Sequence, residues 1–289
     1  MAVGGTVSNA FTTMWSDDVT QLSQQTSSKL QGAVRTVRGV IGSTYKWHTL
    51  GKGGYLKNKL RNADIRPMSD SAAFSAPTDG DSYTGSTAAH ATVTATMNSF
   101  VTGEYIEDID QLRTNIDYRK SYQGAIASAL NRAYDAELIA VMDAATPGST
   151  VTASSGLNKA ALISVNEDFN DNDVPAGNRW LLITPAALTD MLTDTTLVSS
   201  DYVANNGLQT GFIPNVMGMN VVISNLLSTP STHTCYAFDS NSIGCAIGKS
   251  ITSRFDYVPQ KVAHLVTAEF TQGCAVIDTT GLIQVDVTV

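Results

Sequence analysis

One apolar stripe constrains this chain more than any other feature: Tyr122, Ile126, Ala129, Leu130, Ala133, Leu138, Val141 and Met142 recur at helical spacing. The spacing predicts a helix over Tyr118 to Ala145, with Asp117 placed to cap its first free amides. Thr146-Pro147-Gly148 ends it, because proline cannot continue the hydrogen-bond ladder and glycine takes the reversed turn. At ~1.5 Å per residue such a helix is about 40 Å long, a spine rather than one brick of a bundle.

The sequence on either side has a different grain. From Gly51 to Ala91 apolar side chains are sparse, and Gly53, Gly54, Pro67, Pro77, Gly80 and Gly85 interrupt any period. Strand-like runs flank that stretch, Thr44 to Leu50 on one side and the alternating Thr92 to Met97 on the other. A long two-stranded projection accounts for both observations. Ahead of it, Met1 to Val37 has a thin apolar pattern with Trp15, Val19 and Leu22 at helical spacing. It reads as an extended arm with a short helix, which needs another surface to hold it in place.

Beyond the spine, helix and strand alternate. Leu157, Ala161, Val165 and Phe169 predict a helix, Arg179 to Ile183 a buried strand, and Thr184-Pro185 a capped helix start running to Leu192. Strands follow at Val221 to Ser224, Cys235 to Phe238, Cys245 to Ile247, Lys261 to Phe270, Ala275 to Ile277 and Leu282 to Val287. The class is α+β.

With 289 residues and 43% hydrophobic content the chain can build one large core or two of ordinary size. Only 15% of residues are charged and the net charge is −8, which lacks the basic footprint of a nucleic-acid wrapper. The charge is polarised: Met1 to Asp70 holds nine Lys and Arg against four Asp and Glu, a balance of +5, and the remainder is −13. Either this is a chance cluster of solvated charges or a basic extension that docks on an acidic neighbour. Cys235, Cys245 and Cys274 are odd in number and fit neither a zinc pattern nor a disulfide framework, so reduced buried thiols are expected. No signal segment is apparent and no apolar run approaches the ~18 residues that cross a membrane, which places synthesis and use in cytoplasm.

Chemistry-bearing motifs are weak. Gly244 to Ser250, GCAIGKS, has three residues between its glycines where a phosphate-binding loop needs four, and no helix follows. His48, His90, His233 and His264 are scattered without the one-turn spacing of paired metal ligands. The acidic clusters Glu104-Glu107-Asp108-Asp110 and Asp168-Asp171-Asp173 lack the glycine and terminal glutamate of a calcium loop and read as solvated turns or an acidic docking face. Trp47 and Trp180 read as core or interface fillers. No cofactor, metal or catalytic residue is assigned, and the chain is read as no enzyme.

The stretch GEYIEDIDQLRTNIDYRKSYQGAIASALNRAYDAELIAVMDA, Gly103 to Ala144, carries Arg132, Asp135, Leu138 and Ile139 in the pattern R-x-x-D-x-x-L-I. RWLLITPAALTDML, Arg179 to Leu192, and GFIPNVMGMNVVISNLL, Gly211 to Leu227, follow in order. Those segments, in that order, resemble the Hong Kong 97 fold of tailed-phage major capsid proteins, over most of the chain from Lys29 onward. The resemblance implies an N-terminal arm (1–38), an extended β-hairpin loop (39–98), a peripheral domain with the spine helix (99–149 and 250–289) and an α/β axial domain (150–249). It implies self-assembly into hexamers and pentamers of an icosahedral or prolate shell around double-stranded DNA, built in the host bacterial cytoplasm and ending in the virion. Expected partners are further copies of the chain, a scaffolding protein, a portal and a decoration protein, with DNA touched only non-specifically and no membrane.

The arm starts almost at Met1, so scaffolding is expected to be a separate chain or already removed. Some relatives weld subunits through a loop lysine. Lys52, Lys57 and Lys59 sit in the matching projection, but no asparagine partner or activating glutamate can be placed, so that chemistry is not carried over. With Arg61 and Arg66 these lysines form a basic projection expected to settle on acidic neighbours. An encapsulin-like nanocompartment shell uses the same fold and stays open as the alternative. An enzyme with an unfamiliar site would need a cluster of perturbed ionisable groups in one pocket.

Overall fold

The long helix read from the sequence is present. In the computed structural model α1 spans Tyr118–Ala144, and Ile126, Leu130, Tyr134, Leu138 and Met142, each four residues after the last, are buried along it. The described residues are 22–51, 55–57, 82–84, 90–107, 109, 118–194, 213–227 and 232–288, with backbone alone at 55–57, 82–84, 118–119 and 232. Asp117 lies outside them. At the other end Ala145 still donates to the carbonyls of Val141 and Met142, and Pro147 then halts the ladder.

The chain divides into two units. One takes the described parts of Met1–Ser28, Ser99–Tyr134 and Lys249–Phe270, and the other those of Lys29–Asn98, Asp135–Gly248 and Thr271–Val289. The larger unit holds a mixed six-stranded sheet. Its strands are β7 (Ser149–Ala153), β8 (Arg179–Ile183), β9 (Asn215–Val216), β10 (Met219–Ile223), β11 (Thr232–Asp239) and β14 (Leu282–Thr288), in the order β7-β14-β11-β8-β10-β9. β8 with β10 and β14 with β7 are parallel, while β11 pairs antiparallel with both β8 and β14.

Two helices cover this sheet. α2 (Lys159–Asp171) is capped by Asn158, whose side-chain oxygen accepts from the Ala161 amide at 3.0 Å. α3 (Pro185–Thr193) is capped by Thr184, whose hydroxyl accepts from Ala187, with Pro185 in the first turn where its missing amide costs nothing. Leu162, Val165 and Phe169 of α2 and Ala187 and Met191 of α3 join Leu181, Ile183, Val221, Cys235, Ile283 and Val285 of the sheet in one core. Each large side chain buried there contributes about 1.5–3 kcal/mol. Gly156, at φ +76°, leads into α2 where a side chain would strike the Asp190 carboxylate 2.8 Å away.

A four-stranded sheet has the order β1-β12-β13-β6, with β1 Arg35–Arg38, β6 Asn98–Glu107, β12 Ile243–Val258 and β13 Ala263–Val276. Both long strands correct the sequence expectation. Cys245 to Ile247 is only the start of a 16-residue strand, and the two runs predicted at Lys261 to Phe270 and Ala275 to Ile277 are one 14-residue strand. Thr271-Gln272-Gly273 breaks the apolar alternation, yet backbone pairing with neighbouring strands carries the ladder across it. Within the smaller unit Phe100 of β6 stacks on Phe270 of β13 at 4.8 Å. The C-terminal strand β14 is an interior strand of the six-stranded sheet.

β2 (Thr44–Leu50) and β5 (His90–Thr96) pair antiparallel from Thr44 opposite Thr96 to Leu50 opposite His90. β3 (Tyr55–Lys57) pairs antiparallel with β4 (Ser82–Thr84). Trp47 of β2 and Ala95 of β5 pack with Ala246 and Ala275, and Tyr45 meets the Trp47 ring edge-on at 4.8 Å. Trp47 is thus core, as its sequence context suggested.

Candidate functional site

The near phosphate-loop lies in a strand. Gly244 to Ile247 pair with Arg35 to Arg38 of β1, so their amides are spent on a ladder and cannot converge on a phosphate. Lys249, the lysine of that motif, forms an ion pair with Glu269. The Lys249 hydrogen bond, and then its charge, hold the Glu269 carboxyl below its usual pKa.

The other candidates disperse. His48 on β2 and His90 on β5 are exposed, His233 is on β11, and His264 on β13 is stacked on Phe255 at 4.7 Å with Tyr257 edge-on at 5.2 Å. Glu104 and Glu107 are exposed on β6, while Asp108 and Asp110 lie outside the described residues. Asp168 accepts from the Ser149 hydroxyl at 2.5 Å, and Asp173 turns the chain after α2 with φ 57°. Among the described residues no group of three His, Cys, Asp or Glu is placed to hold a metal. No described helix is long and apolar enough to cross a membrane.

All three thiols are buried. Cys245 and Cys274 lie 3.3 Å apart, sulfur to sulfur, and the Gln272 amide donates to Cys274 at 2.9 Å. Contact with Cys245, and burial after it, push the Cys274 thiol up, while burial raises Cys235 to about 11. Such thiols are packing groups, not nucleophiles. Tyr236 donates to Asp143, and burial together with that carboxylate raises the phenol above its ordinary pKa.

Of the five basic residues read as an inter-subunit surface, Lys57 lies in β3 with its backbone opposite Ser82. Lys52, Lys59, Arg61 and Arg66 fall outside the described residues, as do Trp15 and Val19 of the arm.

A different set of contacts comes into view on α1. The Asp135 carboxylate, 1% exposed, accepts from the backbone amides of both Lys29 (2.9 Å) and Leu30 (3.3 Å). One turn earlier Arg132 donates to the Gln24 side chain at 2.7 Å, and Asn131 donates to the Thr26 carbonyl at 2.8 Å. The Lys29 ammonium reaches the Ile223 carbonyl at 2.8 Å. Leu30, Ala33 and Val34 are buried, so the segment read as an arm to Val37 is fixed to the body from at least Leu30. Arg132 and Asp135, three residues apart, were visible as part of a motif. Their partners, more than one hundred residues away, were not.

The whole architecture has counterparts. The cyanophage P-SCSP1u capsid structure matches at 14% identity and a TM-score of 0.71, over 98% of this chain and 94% of that one. A chain from Mycobacterium phage Che8 matches at 15% identity and 0.67, over 95% and 96%. A virus-like particle from Pyrococcus furiosus matches at 10% identity and 0.56, over 89% and 91%. At such identities the likeness shows a shared fold. No curated protein matches the chain. The model of the family described as phage capsid protein matches residues 7–289. A fold shared with capsid chains along its length and a family match that spans nearly every residue have one reading: the chain belongs to the phage capsid protein family and is a structural subunit of a capsid shell.

Proposed function

We propose that the chain is the major capsid protein of a tailed phage, built on the Hong Kong 97 plan, and that it assembles into hexamers and pentamers of a head enclosing double-stranded DNA. The family match over residues 7–289 carries this reading. The geometry supports it: a 27-residue helix, the antiparallel strand pairs β2 with β5 and β3 with β4, and a six-stranded sheet under two helices. On that plan 1–38 is the arm, 39–98 the extended loop, 99–149 with 250–289 the peripheral domain, and 150–249 the axial domain.

Assembly buries surface that one copy leaves open. The projection and arm of one subunit lie across its neighbours, and the +5 balance of Met1 to Asp70 against −13 in the remainder draws them there. A separate scaffolding protein, a portal and a decoration protein are the partners this implies, with assembly in the host cytoplasm and only non-specific contact with DNA. The compartment-shell alternative has no observation of its own in its favour; a cargo-enzyme gene beside this one, in place of terminase and portal genes, would restore it.

Electron microscopy of the purified protein after size-exclusion chromatography tests the reading. Closed shells or capsomers are expected, alone or with the scaffolding protein. A particle that stays monomeric under both conditions overturns it.

A further inference from the structure

The four-residue loop from Pro259 to Val262 joins β12 to β13 and ends in a strained backbone: Val262 has φ 49°. Among the described residues Asp173 and Met217 also have positive φ. An aspartate is tolerated there, and Met217 is unbranched, whereas valine crowds its β-branch against the backbone. Glycine or asparagine fits such a place better. Yet Val262 is 58% exposed, so packing inside the subunit offsets little of the strain.

The tip is nonetheless fixed. Pro259 sets its own φ, the Lys261 amide donates to the Val258 carbonyl at 3.1 Å, and the Lys261 ammonium lies 3.9 Å from the centre of the Tyr105 ring on β6. These residues all belong to the smaller unit. Lys261 carries the loop's only charge, and it is spent on an aromatic face, so the tip is no hook for phosphate. What the tip offers is Val262, with Tyr257, 48% exposed, just ahead of the loop.

A strained apolar residue on a fixed, exposed tip is accounted for by a contact outside the subunit, because docking offsets the strain and a pre-set loop loses little freedom on binding. We propose that the tip between β12 and β13 is a contact point for a second copy of the chain, with Val262 and Tyr257 as its apolar anchors. A second copy is the occupant because the chain is a shell subunit, and because an uncharged tip suits a chain with only 15% charged residues better than it suits a polyanion. The proposal rests on the shell reading and names a surface within it.

The test uses the full chain carrying Val262→Gly or Val262→Asn, both of which accept the left-handed backbone and remove the apolar contact. The unassembled subunit of either variant is expected to melt about 2–4 °C above the parent as the strain is relieved. The protein concentration needed for closed shells, followed by light scattering and electron microscopy, is expected to rise about tenfold or more. This opposite movement of subunit stability and assembly is the signature of a residue kept for contact. Shells forming at the parent's concentration overturn the proposal. So does weaker assembly accompanied by a lower melting temperature, since the loss then lies in the subunit. Should the parent form no shells with scaffold present, the shell reading fails separately, and sedimentation of parent and variants decides the tip: equal self-association overturns it, and weaker self-association of the variants supports it.

Discussion

The indole of Trp47 occupies the space that a side chain at Gly244 would need: a Cβ added there would lie 2.7 Å from Cε2 and Cζ2 of the ring and 2.7 Å from the Ile277 Cδ1. The first glycine of the phosphate-loop look-alike is therefore a packing residue against Trp47 of β2. Gly244→Ala is expected to destabilise the protein by about 1–3 kcal/mol through overpacking. Combining it with Trp47→Leu should give less than the sum of the two single losses, because the smaller ring-free side chain makes room. Denaturant unfolding of the three variants measures this, and strict additivity would contradict the contact.

The ion pair of Lys249 and Glu269 gives a pH dependence with a definite sign. Its glutamate is held below the ordinary 4.5 by the lysine. A depressed carboxyl contributes stability that is complete above the unfolded value and is lost as pH falls through the folded one. The pair is partly exposed, so the effect is small. Melting temperatures followed from about pH 6 down to about pH 3 should show an acid limb that Lys249→Met reduces. Identical curves would remove the pair from the account.

Thiol chemistry should be slow in the folded chain. Burial raises Cys235 to about 11, so at pH ~8 about one thiol in a thousand is ionised. Alkylation under native conditions is expected to leave Cys235, Cys245 and Cys274 intact, whereas denaturant should release all three within the same interval. Mass spectrometry reads the count directly. Rapid native labelling of Cys235 would show that β11 opens far more readily than its packing allows.

Reversing the charge of Lys52, Lys57, Lys59, Arg61 and Arg66 to glutamate should lower shell yield while leaving the melting temperature of the subunit where it was. The difference should narrow as salt rises, since screening sets in over ~10 Å near 0.1 M. Undiminished yield at low salt would mean that these five residues face solvent and not a neighbour.

Local chemistry made much of the fold legible before any coordinates. Pro147 stops α1, Thr184 and Pro185 start α3, and Arg179 to Ile183 is a strand because five residues in a row suit a sheet interior. Caps, breakers and hydrophobic periods act within a few residues of themselves, so the chain states them openly. The two strands β2 and β5 were equally readable, since Thr44 to Leu50 and Thr92 to Met97 alternate with the strand period.

Tertiary structure decided the rest. β13 runs unbroken through Thr271-Gln272-Gly273 between neighbouring strands β12 and β6, although those residues do not favour strand. β14 joined the six-stranded sheet because β7 and β11 flank it there, a choice absent from its own residues. Asp135 looked like one polar position on a helix until Lys29 and Leu30, more than one hundred residues earlier, came to rest on it. The sequence by itself determined where elements begin, end and turn an apolar face, because those are short-range steric and hydrogen-bonding facts. Which elements meet, which glycine yields to which ring and which carboxylate holds which amide are long-range facts, and only the folded chain brings those partners within reach.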